Sequence, residues 1–181
     1  YDYKFRLNLG VRYEDFKQVS LPLNANGDIS GEITDSVLLE DGFYPALSLT
    51  WFVNDDLQAR FGYSQTVVRP DLREVTPVLY VDPLTDFKIT GFAGLQSTDI
   101  TSVDARLEWY YDNSNYSVGV FYKDLDNPIE AIELSGSDGN LLMSFRNAES
   151  GKVYGAEAEF LQQLDMFGGD FGKIADNFFV A

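Results

Sequence analysis

Between Tyr3 and Tyr13 apolar and polar side chains alternate without interruption. Tyr3, Phe5, Leu7, Leu9, Val11 and Tyr13 form one set; Lys4, Arg6, Asn8, Gly10, Arg12 and Glu14 form the other. Successive side chains of a β-strand point to opposite faces, so the segment predicts a strand with one apolar and one charged face. The same pattern predicts strands over Phe43–Val53, Leu57–Ser64, Ser102–Tyr111, Tyr116–Lys123 (with Phe121 as a lapse) and Tyr154–Leu161. A further strand begins near Ile174 and is still running at Ala181. No segment carries a helical period over a useful length. The apolar faces must meet either a protein core or lipid, and the strands alone do not choose.

The connections do. Asn54-Asp55-Asp56 and Asp112-Asn113-Ser114-Asn115 are short polar turns, whereas Lys17–Glu40, Val68–Ile100 and Asp124–Lys152 are long. Long and short connections alternate until the glycine-rich Asp165–Lys173, which is intermediate. Outer-membrane barrels show this asymmetry, with short periplasmic turns and long extracellular loops. Long structureless loops also count against a compact soluble domain. Aromatic residues gather at the predicted strand ends: Trp51, Trp109 and Tyr111 beside the short turns, Tyr13, Tyr63 and Tyr122 towards the other end. Two girdles at the membrane–water boundaries have this distribution. The plainer reading is that aromatic residues simply favour strands.

The formal charge is −16, from 29 acidic against 13 basic residues, which excludes the basic footprint of a nucleic-acid partner. There is neither cysteine nor histidine, so disulfides, thiolate or histidine metal sites and histidine acid–base chemistry are excluded. No apolar run approaches the ~20 residues of a membrane helix. No cofactor and no metal site are expected. The sequence opens in mid-strand and stops in an unfinished one, so the expectation is an excerpt of a larger barrel, because a barrel in lipid leaves no open edge.

Several segments resemble TonB-dependent outer-membrane receptors. These are Tyr44-Pro45-Ala46-Leu47-Ser48-Leu49-Thr50-Trp51, the turn Asn54-Asp55-Asp56-Leu57, and the stretch from Arg60-Phe61-Gly62-Tyr63-Ser64 to Arg69-Pro70-Asp71-Leu72-Arg73-Glu74. Asp104-Ala105-Arg106-Leu107-Glu108-Trp109-Tyr110, Val118–Leu125, Asn127-Pro128-Ile129-Glu130 and Val153–Glu159 follow in the order found in the carboxyl-terminal half of that family's barrel. Residues 40–163 carry the resemblance. Where the family usually shows Gly-Asn before a leucine, Gly91-Phe92-Ala93-Gly94-Leu95 stands here.

The resemblance implies an all-β fold: an antiparallel up-and-down meander of about seven strands, with residues 1–181 one partial segment of a transmembrane barrel of about 22 strands and a plugged lumen. The plug domain and the remaining strands lie outside these residues. It further implies outer-membrane localisation in a Gram-negative bacterium, and import of a scarce metal chelate, cobalamin or oligosaccharide. The energy would come from the TonB complex through the plug. The partners implied are membrane lipid, the TonB complex and a small-molecule or oligosaccharide ligand.

Other motifs dissolve on inspection. Gly168-Gly169-Asp170-Phe171-Gly172-Lys173 lacks the spacing and the hydroxyl residue of a phosphate loop. Asp124-Leu125-Asp126-Asn127 begins like a calcium loop, but Pro128 falls where further ligands are needed. Asp104, Glu108, Glu157 and Glu159 could suggest a hydrolase, yet no nucleophile, base and orienter assemble around them. In a barrel they face the lumen with Arg6, Arg12, Arg60 and Arg106, where opposite charges on neighbouring strands neutralise one another. Catalytic residues are therefore not expected.

Ligand contacts belong to long loops on a rigid scaffold. Arg69, Arg73, Tyr80 and Asp82 are the candidates. Arg69 and Arg73 bring forked donors for carboxylate or phosphate, while the plainer role for Arg69, beside Pro70, is to fix the loop root through backbone or Asp71. The third long connection holds its own hairpin: Ile129–Leu134, a turn at Ser137–Asn140, and Leu141–Phe145. The alternatives to an importer segment are a complete small outer-membrane barrel and a soluble antiparallel β binding protein.

Overall fold

The computed structural model describes residues 4–20, 37–84, 87–111, 114–135, 141–163 and 179–180. Its elements are β1 (Phe5–Val19), β2 (Val37–Phe52), β3 (Leu57–Val68), α1 (Leu72–Val75), β4 (Leu79–Val81), β5 (Lys88–Thr90), β6 (Thr98–Tyr111), β7 (Ser114–Asp126), β8 (Ile129–Ser135), β9 (Leu141–Asn147), β10 (Ser150–Gln163) and β11 (Phe179–Val180). Seven strands form one sheet in the order β1-β2-β3-β6-β7-β10-β11. Every neighbouring pair is antiparallel. This is the predicted meander, all-β apart from one short helix, with long connections at one end and tight turns at the other. At the β2–β3 turn Asn54 Oδ1 accepts the N–H of Asp56 at 3.0 Å and of Leu57 at 2.7 Å, an Asx turn. The turn residues Asp112 and Asn113, the hairpin turn at Ser137–Asn140, Tyr3 and the start of the last strand at Ile174 lie outside the described residues.

The strands outrun their alternation. β1 continues to Val19, β2 starts at Val37 and β7 reaches Asp126, so the long connections are shorter than the pattern predicts. Beyond Tyr13 the ladder pairs Asp15 with Asp41 and Lys17 with Leu39; the two aspartates and the lysine break the alternation while the backbone bonds continue. Alternation records where one face is apolar; pairing extends wherever the backbone finds a partner.

Registers place every strand's residues in rows across the sheet. Leu7, Leu49, Phe61, Ala105, Val120 and Ala156 stand in one row, and Phe5, Trp51, Ala59, Leu107, Val118 and Ala158 in another on the same side. These side chains remain uncovered: Leu9 is 71% exposed, Val11 69% and Val120 58%. A soluble sandwich would cover them with a second sheet, and among the described residues nothing does. Tyr13, Trp51, Tyr63, Trp109, Tyr111 and Tyr122 all belong to this apolar side. The Tyr13 and Phe43 rings meet at a tilt with centroids 4.9 Å apart, and Trp109 lies 5.6 Å from Tyr116 between ring centroids. On this side the row Gln65, Thr101, Asp124, Lys152 ends the apolar band towards the long connections.

The opposite side carries all eight predicted charges: Arg6, Arg12, Arg60, Asp104, Arg106, Glu108, Glu157 and Glu159. Arg60 and Arg106 are direct cross-strand partners, a repulsive placement by itself. Glu108 resolves it. Its buried carboxylate meets Arg60 Nε at 3.1 Å and Arg106 Nε at 3.7 Å, and accepts from the Tyr110 hydroxyl at 2.9 Å and from Gln58. Arg106 also reaches Ser117 at 2.9 Å and pairs with Glu159. Arg12 pairs with Glu14 at 2.9 Å and lies over the Tyr44 ring at 5.4 Å. The lapse at Phe121 is accommodated by glycine: its ring lies over Gly155, where a Cβ would come within 2.7 Å.

Replacing Glu108 with alanine leaves the two arginines facing one another and should destabilise the folded sheet by about 1–3 kcal/mol. Adding Arg60→Ala should recover part of that loss. Additive single effects in a double-mutant cycle, read by urea unfolding of the folded protein in lipid vesicles, would contradict the bridging role.

Candidate functional site

The second long connection, between β3 and β6, folds back over the polar side of the sheet. Glu14, Phe16, Gln18 and Ser20 alternate with Asp15, Lys17 and Val19 and therefore share that side of β1. Together they engage three points of the connection, at Arg69, Pro70 and Thr76. Arg69 Nη1 lies 2.6 Å from Glu14 Oε2, its Nε 3.8 Å from Glu40, and its guanidinium 4.2 Å above the Phe16 ring. Gln18 donates to the Pro70 carbonyl at 3.4 Å, and the Ser20 and Thr76 hydroxyls lie 2.6 Å apart.

Past Pro70 the chain turns into α1 through a capping box. Asp71 Oδ1 accepts the Arg73 N–H at 2.9 Å, while the Asp71 N–H donates to Glu74 Oε2 at 2.8 Å. Val75 and Leu95, 5% and 3% exposed, are buried, and both belong to this connection. Gly91 closes it. The Phe92 N–H donates to the Glu74 carbonyl at 2.6 Å, and a Cβ on Gly91 would meet the carbonyls of Thr76, of Arg73 at 2.6 Å and of Glu74 at 2.8 Å.

Between these anchors β4 and β5 pair, Tyr80 opposite Ile89. The Asp82 N–H donates to the Phe87 carbonyl at 3.0 Å, and Asp82 Oδ1 accepts the Leu84 N–H at 2.9 Å. α1 and this hairpin border an open cavity of about 650 Å³. Leu72, Val78, Val81, Pro83 and Ile89 make its apolar wall; Arg73, Thr76, Tyr80 and Asp82 supply its polar groups. Its size falls within the range of small-molecule sites, about 300–1,000 Å³. Among the described residues Arg73 has no ion pair.

Three of the four predicted ligand residues, Arg73, Tyr80 and Asp82, thus converge on one cavity. Arg69 does not join them. It stands at the loop root, and its partners are Glu14 and Glu40 rather than Asp71, whose carboxylate caps α1. A second cavity of about 480 Å³ opens where the β2–β3 ladder stops at Ala46↔Ser64, next to Pro45, which has no N–H to continue it. Glu40, Asp99 and Asp126 line it, and Glu40 Oε2 is taken by the Ser97 hydroxyl at 2.6 Å. No group of three or more side chains among the described residues is placed to hold a metal.

The family model for TonB dependent receptor-like, beta-barrel proteins matches residues 1–179. The chain belongs to this family. Its members are receptors and transporters of the Gram-negative outer membrane, not enzymes. No curated protein matches the sequence. Among solved structures, the siderophore receptor PirA of Pseudomonas aeruginosa is 19% identical over 68% of this chain and 26% of its own, with a TM-score of 0.59. A mutant of the ferric enterobactin receptor PfeA of the same organism, in complex with enterobactin, is 16% identical over 89% and 23%, at a TM-score of 0.60. A double mutant of the Serratia marcescens hemophore receptor HasR, in complex with HasA and heme, is 14% identical over 89% and 30%, at 0.61. These likenesses show the fold. The chain spans about a quarter of the length of these receptors.

Within this TonB-dependent receptor segment the capping box is legible locally, as aspartate three residues before glutamate. The role of Gly91 is not, since its crowding comes from residues fifteen to eighteen positions earlier. Because the crowding atoms are backbone carbonyls, Gly91→Ala should destabilise the loop by about 1–3 kcal/mol without affecting the main sheet. Limited proteolysis of the full-length receptor should then cut near residues 72–92 while the barrel stays intact. Wild-type resistance would contradict the packing described.

Proposed function

We propose that residues 1–181 form one segment of the wall of an outer-membrane importer, and that the cavity between α1 and the β4–β5 hairpin is part of its ligand site. The observation that carries the reading is the convergence of Arg73, Tyr80 and Asp82 on a largely apolar cavity at the end of the sheet with the long connections. The apolar side faces lipid, and Tyr13, Trp51, Tyr63, Trp109, Tyr111 and Tyr122 lie at its two boundaries. The charged side faces the lumen, where Arg6, Glu157 and the network centred on Glu108 meet the plug domain. The plug couples uptake to the TonB complex.

The cavity's composition bears on the ligand. Its apolar wall suits a flat or aliphatic body, Arg73 offers forked donors to an anionic group, and Tyr80 can stack or donate. Receptors for a siderophore, for ferric enterobactin and for a heme carrier share the fold, and a metal chelate is the ligand class that fits both fold and cavity. A neutral oligosaccharide would use the tyrosine and leave the arginine without a counter-charge.

Uptake by the full-length receptor, in iron-starved cells offered ferric enterobactin or heme and in separate cells offered cobalamin or maltodextrin, tests this. Arg73→Ala, Tyr80→Ala and Asp82→Ala should each cut uptake of the transported nutrient about tenfold or more, with heat-modifiable gel migration unchanged. Arg69→Ala should impair assembly as well. Normal uptake of every nutrient by all assembled variants places the ligand contacts elsewhere.

A further inference from the structure

Tyr80 and Ile89 line the proposed ligand cavity, yet the sheet that holds them is only half built from the second connection. Ile89 also pairs with Met143, and Lys88 with Leu142, in a parallel ladder between β5 and β9. β9 belongs to the third connection, where it pairs with β8 along seven residues from Ile129↔Asn147 to Ser135↔Leu141. The order β4-β5-β9-β8 therefore joins two loops into one sheet. A three-residue hairpin strand is too short to persist alone, so β4 and β5 depend on β9 for their order.

A second tie lies at the base of this sheet. Asn147 Oδ1 accepts the Gln96 N–H at 2.8 Å, while its Nδ2 donates to the Gln96 carbonyl at 2.9 Å and to the Asn127 carbonyl at 2.8 Å. One side-chain amide thus occupies both backbone groups of Gln96, as a neighbouring strand would. Asn127, at φ 53°, is the only non-glycine residue with left-handed backbone among those described. Its carbonyl also accepts from Thr98 Oγ1 at 3.0 Å. The end of β9, the end of the second connection and the start of the third meet at this one asparagine.

We infer that Asn147 is a positioning residue for the ligand site: it locks the second and third loops into one body, so the Tyr80 and Ile89 wall is shaped before ligand arrives. Among the described residues, none of the third loop lines the cavity. Its hairpin acts through β5, and such preorganisation lowers the ordering cost of binding. The functional meaning rests on the ligand-site reading above; the mechanical coupling does not.

Amide hydrogen exchange of the full-length receptor, purified in detergent and free of ligand, tests the coupling. Asn147→Ala should speed exchange in peptides covering 79–90 about tenfold, while the β6–β7 ladder keeps its protection. Asn147→Asp preserves size and the acceptor but loses both donated bonds and sets a carboxylate against two carbonyls. It should exchange at least as fast as the alanine variant; wild-type behaviour would show that only side-chain volume matters and overturn the inference. Met143→Pro breaks the β5–β9 pairing from outside the main sheet and decides the matter independently of Asn147. Faster exchange at 79–90 in that variant supports one body. Faster exchange confined to 141–147, in any variant, shows independent loops and overturns it. Because no ligand is present, a failed uptake test leaves this result readable.

Discussion

Lipid offers a backbone amide nothing to bond, so a strand that crosses a membrane must satisfy every N–H and C=O through its neighbours. The main sheet obeys this constraint. Its long strands, β1, β2, β3, β6, β7 and β10, pair in unbroken registers without a bulge, and the one early end of a ladder falls at Ala46↔Ser64, beside Pro45 and one residue short of the row at Gln65 that ends the apolar band. Once pairing is continuous, alternation does the rest. Each residue is assigned to a side by its parity alone, and a slip of one position would invert a strand. Arg60 and Arg106 face each other because register leaves them no choice, and Glu108, two positions on, becomes the partner both require.

The same logic separates what the sequence makes legible from what it hides. Between Tyr13 and the short turns one face is apolar, so period-two patterning is strong and strand order, sidedness and turn positions can all be read from it. Above that band polar and apolar residues mix on both faces. Asp15 opposite Asp41 and Lys17 opposite Leu39 carry no alternation, and the strands continue there unannounced. The candidate site is legible only in kind. Arg73, Tyr80 and Asp82 stand out as loop residues with suitable chemistry, and they do come together. Arg69 has the same chemistry but a different place, because its nearest carboxylates, Glu14 and Glu40, come from strands far away in sequence. The four-stranded loop sheet, Gly91 and Asn147 are non-local in the same way: each is defined by a segment some tens of residues away or by backbone groups that sequence does not advertise.

Two levels of order follow. The wall is held by backbone ladders and presents apolar side chains that nothing among the described residues covers. The loop assembly is held by a capping box, the burial of Val75 and Leu95, a crowded glycine and a single asparagine amide. The second level leans on the first through Arg69, Gln18 and Ser20, all engaged with or on the polar side of β1. Recognition can therefore vary in the loops while the wall that carries them stays constant.

The central claim is that the uncovered side of the sheet is a lipid face. Folding of the full-length receptor into vesicles, with arginine placed in turn at Leu49, Leu107, Ser48 and Asp104, tests it most directly. Arginine at Leu49 or Leu107 should cost about 2–4 kcal/mol, the penalty for a cation near the bilayer midplane, and arginine at Ser48 or Asp104 much less. Equal tolerance on both sides of the sheet would contradict the account.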